Sequence, residues 1–188
     1  MKLLLLAALA LLATPGGAGA MEEAPAAAAP ASSRDGLVLN GEATRTVWGF
    51  QVYKVRLFLH EIMREAEKIM GAKEHPKTIE ITMVRPVDEE QFASTVQDNI
   101  DTNFTEEEKV KFAAPLSRFL ACFNNGADLK PGNVITIAYA PPEGTVVKLD
   151  GRTLDTIPGT DFYHTLLRLW IGKPLQHSIK EGLVGSGG

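Results

Sequence analysis

The 188-residue sequence contains a single cysteine, Cys122, so no intrachain disulfide can form. Residues 119–123 around it are mainly apolar, which favours a buried structural thiol over a reactive one. Histidines are also few, and they show no H-x-x-x-H pair and no acidic partner at ligand spacing. We therefore expect no metal site. The histidines are His60, His75, His164 and His177.

Positive charge is scarce as well, since 19 lysines and arginines stand against 23 aspartates and glutamates. The basic residues form no stripe of the kind that binds phosphates, so we expect no nucleic-acid partner. A phosphate-cradling loop and a dinucleotide fingerprint are both missing, and we expect no cofactor. Beyond the N-terminus no apolar run approaches the roughly 20 residues of a membrane span, so the mature chain should have no transmembrane span. The sequence leaves the oligomeric state open.

The N-terminus has the order of a secretory signal peptide. A lysine precedes an uncharged apolar stretch at residues 3–13, and a helix-breaking Pro-Gly-Gly is followed by small residues up to Ala20. We predict a signal peptide over residues 1–20, cleavage near Ala20, and export to the periplasm. Residues 21–36 are rich in alanine, proline and serine and are predicted to be a flexible linker. Residues 37–185 are predicted to form one domain.

The remaining sequence predicts strands and helices in separate blocks, which is typical of an α+β domain with an antiparallel sheet and helices against one face. Alternating apolar residues predict the strands, and apolar residues three and four apart predict the helices. Asp88 and the capping box at Thr105 mark helix starts, and Pro115 is predicted to kink or split the second of these helices. The predicted strands are 43–50, 52–59, 78–84, 134–140 and 145–149. The predicted helices are 61–70, one from Asp88, one from Thr105 to about 124–126, one that follows Pro158 and runs through Phe162 to Gly172, and 175–183.

Arg45 is an unexpected charge in the first predicted strand. Alternation places its side chain on the same face as Ala43, Val47 and Gly49, which are small or apolar. Burying an unpaired charge costs on the order of several kcal/mol, so an anion or several acceptors must meet the guanidinium. Two partners fit: an acidic side chain of a covering helix, or the anionic group of a ligand.

Two stretches near the ends of the predicted domain resemble the chalcone isomerase family. The first joins Leu39-Asn40-Gly41 and Arg45 to the strand at 52–59. The second runs from Ile157-Pro158-Gly159 through Leu169-Trp170-Ile171-Gly172 to Gly185 and is similar to the exported bacterial branch of that family. The resemblance covers roughly residues 37–185. It implies an open-faced β-sandwich, in which helices cover a large antiparallel sheet and a ligand cleft lies between them.

The resemblance also implies positions for catalytic residues. In catalytic members an arginine stabilises the oxyanion while a flavonoid precursor closes its ring, and Arg45 and Asn99 match the family's arginine and asparagine. Tyr53 stands in place of a threonine, Phe92 in place of a tyrosine, and Leu169 in place of a threonine or serine. Two of the five polar positions therefore keep their type. Each lost donor typically costs about 2.7–4 kcal/mol of barrier, which argues against efficient ring closure.

An arginine beside a phenol can instead hold a carboxylate by charge-assisted hydrogen bonds, as noncatalytic fatty-acid-binding relatives do. Our first hypothesis is that the protein binds a small amphipathic or fatty acid in a cleft headed by Arg45, with Tyr53 and Asn99 as further polar contacts. One alternative is an isomerase, an intramolecular lyase acting on an enone, with Arg45 and Asn99 as catalytic residues. Another is a noncatalytic accessory protein of the envelope. The expected apolar wall is Val55, Leu57, Phe92, Leu169 and Trp170.

These residues also have structural alternatives. Asn99 on the inner face of a helix could bond a backbone carbonyl rather than a ligand. Tyr53 could be a core aromatic with its hydroxyl at the rim. Phe92, Leu169 and Trp170 at helical spacing could be ordinary core.

Overall fold

An antiparallel sheet is the frame of the protein in the computed structural model, which describes residues 33–123 and 128–185. The described residues form seven strands that pair strictly in chain order, and every pairing is antiparallel. Such a meander needs only short connections between neighbouring strands or a helical excursion from one strand to the next. The strands are β1 (Ser33–Arg34), β2 (Leu37–Val47), β3 (Phe50–Leu59), β4 (Lys77–Met83), β5 (Val134–Ala140), β6 (Gly144–Leu149) and β7 (Arg152–Ile157).

Helices pack against one face of this sheet and bury the alternate apolar residues of its central strands. On β3 the fully buried positions of this face are Val55, Leu57 and Leu59, two residues apart, as a half-buried strand requires. This confirms the predicted α+β architecture, an open-faced sandwich of sheet and helices. The helices are α1 (Ala66–Gly71), α2 (Glu89–Asn103), α3 (Glu106–Lys111), α4 (Ala113–Ala121), α5 (Thr160–Leu166), α6 (Arg168–Ile171) and α7 (His177–Val184).

Two helix starts form as the sequence predicts. The Asp88 side chain accepts a hydrogen bond from the Gln91 backbone N–H at 2.7 Å and caps α2. Thr105 and Glu108 form a reciprocal capping box at the start of α3, with distances of 3.0 and 3.2 Å. The predicted split of the next helix occurs at Phe112, so the proline lies in the first turn of α4, where its missing N–H costs nothing.

Other element boundaries differ from the predictions. Helix α1 begins at Ala66 instead of residue 61, because the preceding segment is tied to β2: the Met63 N–H donates to Asn40 Oδ1 at 2.7 Å. The predicted helix between Pro158 and Gly172 is two short helices, α5 and α6, which meet at Leu167. The first hairpin turns at Trp48 and Gly49, inside the predicted first strand, and β3 starts at Phe50, two residues before the predicted start of the second strand.

The sequence did not predict β7. This strand lies at the edge of the sheet and is rich in polar residues, so it lacks the apolar alternation that marks the central strands. The predicted signal peptide, most of the predicted linker and the end of the helix near 124–126 lie outside the described residues. The last part of the predicted linker, Ser33–Arg34, pairs with β2, so the folded domain starts slightly before residue 37. In the described part of the chain, no helix has both the length and the apolar character needed to cross a membrane.

The Asn40-Gly41 pair allows α7 to lie directly on β2. The buried Asn40 amide donates to the Leu183 carbonyl at 2.8 Å and so ties the end of α7 to the strand. A Cβ on Gly41 would overlap the Gly182 carbonyl oxygen, and a Cβ on Gly182 would overlap Glu42 and Ala43. Because neither glycine carries a side chain, the two backbones approach closely, and the start of α7 is brought beside Arg45.

Candidate functional site

A cavity of about 350 Å³ lies between the sheet and the helices. Its walls come from β2, β3 and β4, from α2 and α6, and from the segment leading into α7. All five site residues predicted from the sequence line this one cavity, although they are spread over more than 120 positions of the chain. They are Arg45, Tyr53, Phe92, Asn99 and Leu169.

Arg45 is half-buried on β2 and extends its guanidinium along the cavity wall. Its Nη1 donates to the side-chain oxygen of Gln176 at 3.2 Å. Within residues 33–123 and 128–185, no carboxylate forms an ion pair with Arg45. The acidic helix residue that was one of its two predicted partners is therefore not found there. A guanidinium has five N–H donors, so most of its hydrogen-bonding capacity remains for another acceptor.

Gln176 holds Arg45 in place and was not predicted from the sequence. It is the residue before α7, and its side-chain oxygen also accepts from the Thr46 N–H at 2.9 Å. Its amide nitrogen donates to the Thr44 carbonyl at 3.3 Å and to the Ser178 hydroxyl at 2.6 Å. These bonds use the whole amide and fix the strand around Arg45. No local pattern reveals this role, because Gln176 lies 131 positions from Arg45 and reaches it only through the close packing of α7 on β2.

Tyr53 is the cross-strand neighbour of Arg45, so the two side chains lie on the same face of the sheet. Burial raises the pKa of the Tyr53 phenol, and the positive charge of Arg45 partly opposes this shift. The phenol is therefore neutral near pH 7 and acts as a hydrogen-bond donor rather than a base. Its hydroxyl forms no hydrogen bond with another described residue. Arg45 and Tyr53 thus present a cation and a neutral donor side by side.

Asn99 has a structural role in the cavity wall. Its amide nitrogen donates to the Leu169 carbonyl at 3.0 Å, which joins α2 to α6. Its side-chain oxygen accepts from Asn103 at 3.1 Å, and Asn103 in turn bonds both the carbonyl and the N–H of Lys173. One N–H of Asn99 remains for a ligand. This is the backbone-bonding alternative that we considered for Asn99.

Apolar side chains of α2 and α6 form another part of the cavity wall, beside the polar Gln91 and Thr95 of α2. Phe92 packs against the ring of Phe123 with 5.0 Å between centroids, and Leu169 and Trp170 are almost completely buried. Val55 and Leu57, which we had assigned to this wall, do not line the cavity. Both are fully buried, deeper along β3, where they contribute to the core of the domain.

A second arginine, Arg85, lines the cavity at its solvent-exposed end. Its guanidinium lies 4.3 Å above the centroid of the Phe50 ring, and it forms no ion pair with the residues described. Leu175, which is 42% exposed, also lines the cavity. Because Arg85 and Leu175 line the cavity and contact solvent, the cavity opens beside them, and we call this opening the mouth. Arg85 was not predicted from the sequence, since an arginine directly after a strand is usually an ordinary surface residue.

Potential metal ligands are not gathered in the described regions. No group of three or more histidine, cysteine, aspartate or glutamate side chains there is arranged to hold an ion. Cys122 is buried, and burial raises the pKa of its thiol. The polar side chains that line the cavity are those of Arg45, Tyr53, Asn99, Gln91, Thr95 and Gln176, with Arg85 at the mouth.

Residues 20–185 match the family model described as chalcone isomerase-like. The chain belongs to the chalcone isomerase-like family. Among solved structures, the crystal structure of a fatty-acid binding protein from Arabidopsis thaliana is similar, with a TM-score of 0.60 and 17% sequence identity. The alignment covers 83% of this chain and 90% of the Arabidopsis chain. At this identity the likeness shows a shared fold. No curated protein matches the sequence significantly.

In this chalcone isomerase-like protein, the side chains around Arg45, the residue that the resemblance matched to the family's arginine, differ from those expected in catalytic members. Phe92 and Leu169 present apolar surface at two positions where the resemblance led us to expect hydroxyl groups in catalytic members. Tyr53 supplies the one tyrosine hydroxyl beside Arg45. The cavity therefore has a polar end and an apolar wall, which suits an amphipathic ligand.

Proposed function

We propose that this protein binds a medium-chain fatty acid, with the carboxylate at Arg45 and the alkyl chain against the apolar wall. The observation that carries the proposal is Arg45 itself, a half-buried guanidinium in an apolar cavity with no carboxylate partner among the described residues. A carboxylate ligand would meet this charge by charge-assisted hydrogen bonds. The neutral Tyr53 phenol would donate a further bond to the second carboxylate oxygen.

The size of the cavity limits the length of the acid. A volume of about 350 Å³ is near the lower end of the range of ligand pockets, which is about 300–1,000 Å³. At roughly 30 Å³ for each group of the size of water, it holds about a dozen heavy atoms. An acid of about ten carbons fills this space. The solved relative from Arabidopsis thaliana, whose title names it a fatty-acid binding protein, supports an acid as the ligand class.

Titration calorimetry with decanoate and 1-decanol tests the proposal. The two ligands share a chain and differ in the charged group that Arg45 would meet. We expect decanoate to bind with one-to-one stoichiometry and decanol to bind at least about tenfold more weakly, since hydrogen bonds to charged groups contribute about 1.5–3 kcal/mol. Equal affinities, or no binding of either ligand, would refute the proposal.

An isomerase acting on an enone is the competing function, and the same preparation tests it. The Asn99 amide is largely occupied by backbone and side-chain partners, and the positions of Phe92 and Leu169 lack hydroxyl donors. We therefore expect a chalcone to cyclise no faster with the protein than in buffer. Flavanone formation above the buffer rate, lost in Arg45→Gln, would establish the enzyme instead.

We also propose that the protein is exported and acts in the periplasm. The support is the order of charged, apolar and small residues over 1–20, which is typical of a cleaved signal peptide. Intact-mass measurement of protein recovered from a periplasmic extract would be expected to give a chain that starts near residue 21. A full-length mass in the cytosolic fraction would contradict this localisation.

A further inference from the structure

The hairpin turn between β2 and β3 exposes two aromatic residues. Trp48 and Gly49 form its two central positions, with φ angles of 52° and 80°. Turns of this kind favour Asn-Gly, because both residues need positive φ, and a bulky aromatic residue at the first position is strained. Trp48 is also 93% exposed, and Phe50 is 56% exposed. Neither the turn geometry nor packing within the domain explains a tryptophan at this position.

The end of β4 extends this exposed surface. The N–H groups of Val84 and Arg85 both donate to the Val52 carbonyl, at 2.9 and 3.2 Å, which fixes them beside β3. Val84 is 36% exposed, and the Arg85 guanidinium stacks on the Phe50 ring. We call these four residues the aromatic tip: Trp48, Phe50, Val84 and Arg85.

The aromatic tip borders the mouth of the cavity. Arg85 belongs to both, and Val47 and Val52, which flank the tip on β2 and β3, line the cavity. Leu175 adds further exposed apolar surface at the mouth. Any surface that meets the tip therefore also lies next to the cavity entrance.

We propose that the aromatic tip inserts into the interfacial layer of a phospholipid bilayer and places the cavity mouth against the lipid surface. The inference rests on the proposed function, because an amphipathic acid partitions into membranes and would enter the cavity from there. Tryptophan is enriched at membrane interfaces, where its ring packs among acyl chains and headgroups. The Arg85 guanidinium, which has no ion pair with a described residue, complements a lipid phosphate.

The size of the tip favours a bilayer over a protein partner. Four side chains, of which the aromatic ones bury about 150–250 Å² each, supply less surface than the roughly 800 Å² that each partner contributes to a stable protein interface. Interfacial membrane binding instead scales with the apolar area that is buried, together with electrostatic attraction to anionic lipids, so a small surface can give reversible binding. The experiment must still distinguish membrane binding from contact with a second copy of the chain or with a protein partner.

Flotation of the domain with vesicles of phosphatidylcholine and phosphatidylglycerol tests the inference. We expect Trp48→Asn to lower the vesicle partition coefficient, obtained from flotation at several lipid concentrations, at least about tenfold, since an aromatic ring of this size contributes more than one decade of partitioning. The variant should remain folded, because asparagine is preferred at this turn position. Val110→Asn is the matched control, as Val110 is 78% exposed on α3, and its flotation should equal that of the wild type.

Membrane binding and decanoate binding are measured separately, so failure of the inference can be distinguished from failure of the proposed function. Decanoate affinity measured without vesicles should be unchanged in Trp48→Asn, whereas decanoate transfer from vesicles to protein should slow in proportion to the lost flotation. If Trp48→Asn floats like the wild type, or if Val110→Asn loses as much, the inference is wrong. If sedimentation shows that the wild type is a dimer and Trp48→Asn a monomer, the tip is a contact between two copies. Failure of the wild type to bind decanoate without vesicles would refute the proposed function alone.

Discussion

Replacing Arg45 by glutamine tests whether this residue recognises the acid group of the ligand. The substitution removes the positive charge but keeps a polar side chain of moderate length at the same strand position. In the wild type, one N–H of the guanidinium is used by Gln176, and the remaining donors have no partner among the described residues. We therefore expect the loss of at least one hydrogen bond between a charged donor and a charged acceptor.

Such a bond contributes about 1.5–3 kcal/mol, and each 1.4 kcal/mol corresponds to a factor of ten in affinity. Arg45→Gln should therefore weaken decanoate binding roughly 10- to 150-fold. Binding of 1-decanol, which has no charge for Arg45 to meet, should stay close to the wild-type value. The substitution breaks no ion pair with a described residue, and Gln176 still accepts from the Thr46 N–H, so folding stability should fall by at most about 1.5 kcal/mol.

Calorimetric titration of both ligands into both proteins measures the coupling between the substitution and the charge of the ligand. Arg85→Gln is the matched control, because Arg85 also lines the cavity but lies at its exposed end and stacks on Phe50. It should affect decanoate affinity much less than Arg45→Gln. If Arg45→Gln weakens decanoate and decanol equally, the residue only shapes the cavity. If it weakens neither, the carboxylate binds elsewhere.

Three further substitutions or titrations test the packing of the domain. Gly41→Ala should lower the free energy of unfolding by more than about 2 kcal/mol, because the added Cβ would overlap backbone atoms of α7. Gly71→Ala is the control and should not destabilise the protein, since its Cβ would meet no atom within 4 Å. Equal effects of the two substitutions in chemical denaturation would contradict the close packing of β2 and α7. Burial lowers the pKa of Lys77 from 10.5 to about 8, so the unfolded chain binds more protons than the folded protein between these pH values. The free energy of unfolding should therefore rise with pH across that window, and it should rise less in Lys77→Met. The same dependence on pH in the wild type and in Lys77→Met would refute the shift. Cys122, whose thiol pKa is raised by burial, should react with a thiol reagent only after the addition of denaturant; rapid labelling of the native protein would show that the side chain is accessible.

Local patterns in the sequence were sufficient to predict most of the fold. The apolar alternation around Ile79 and Ile81 gave a buried strand, and the caps at Asp88 and Thr105 gave two helix starts, because these signals depend on residues only a few positions apart. The edge strand β7 carries no such alternation and was missed. The late start of α1 was also missed, because it depends on a hydrogen bond between Met63 and Asn40, which come from different elements.

The candidate site was predictable to the extent that one residue was chemically out of place. Arg45 stands out as a charge among small and apolar neighbours, and the family resemblance supplied Tyr53, Phe92, Asn99 and Leu169, all of which line the same cavity. Their roles in binding remain predictions.

The partners of these residues could not be derived from the sequence. Gln176 reaches Arg45 over 131 positions, and Asn99 reaches Leu169 over 70, so both contacts exist only after the helices pack on the sheet. Arg85 carries no local signal of a role at the cavity mouth. Such contacts follow from tertiary packing, which short sequence patterns do not encode.

A crystal structure of the protein with 10-bromodecanoate tests the central claim most directly, because the bromine marks the end of the alkyl chain. We expect a carboxylate oxygen about 2.7–2.9 Å from a guanidinium nitrogen of Arg45, as in other charge-assisted pairs. The bromine should lie on the side of the cavity formed by Phe92, Leu169 and Trp170. A carboxylate at the mouth with the bromine beside Arg45, or an acid bound outside the cavity, would contradict the account.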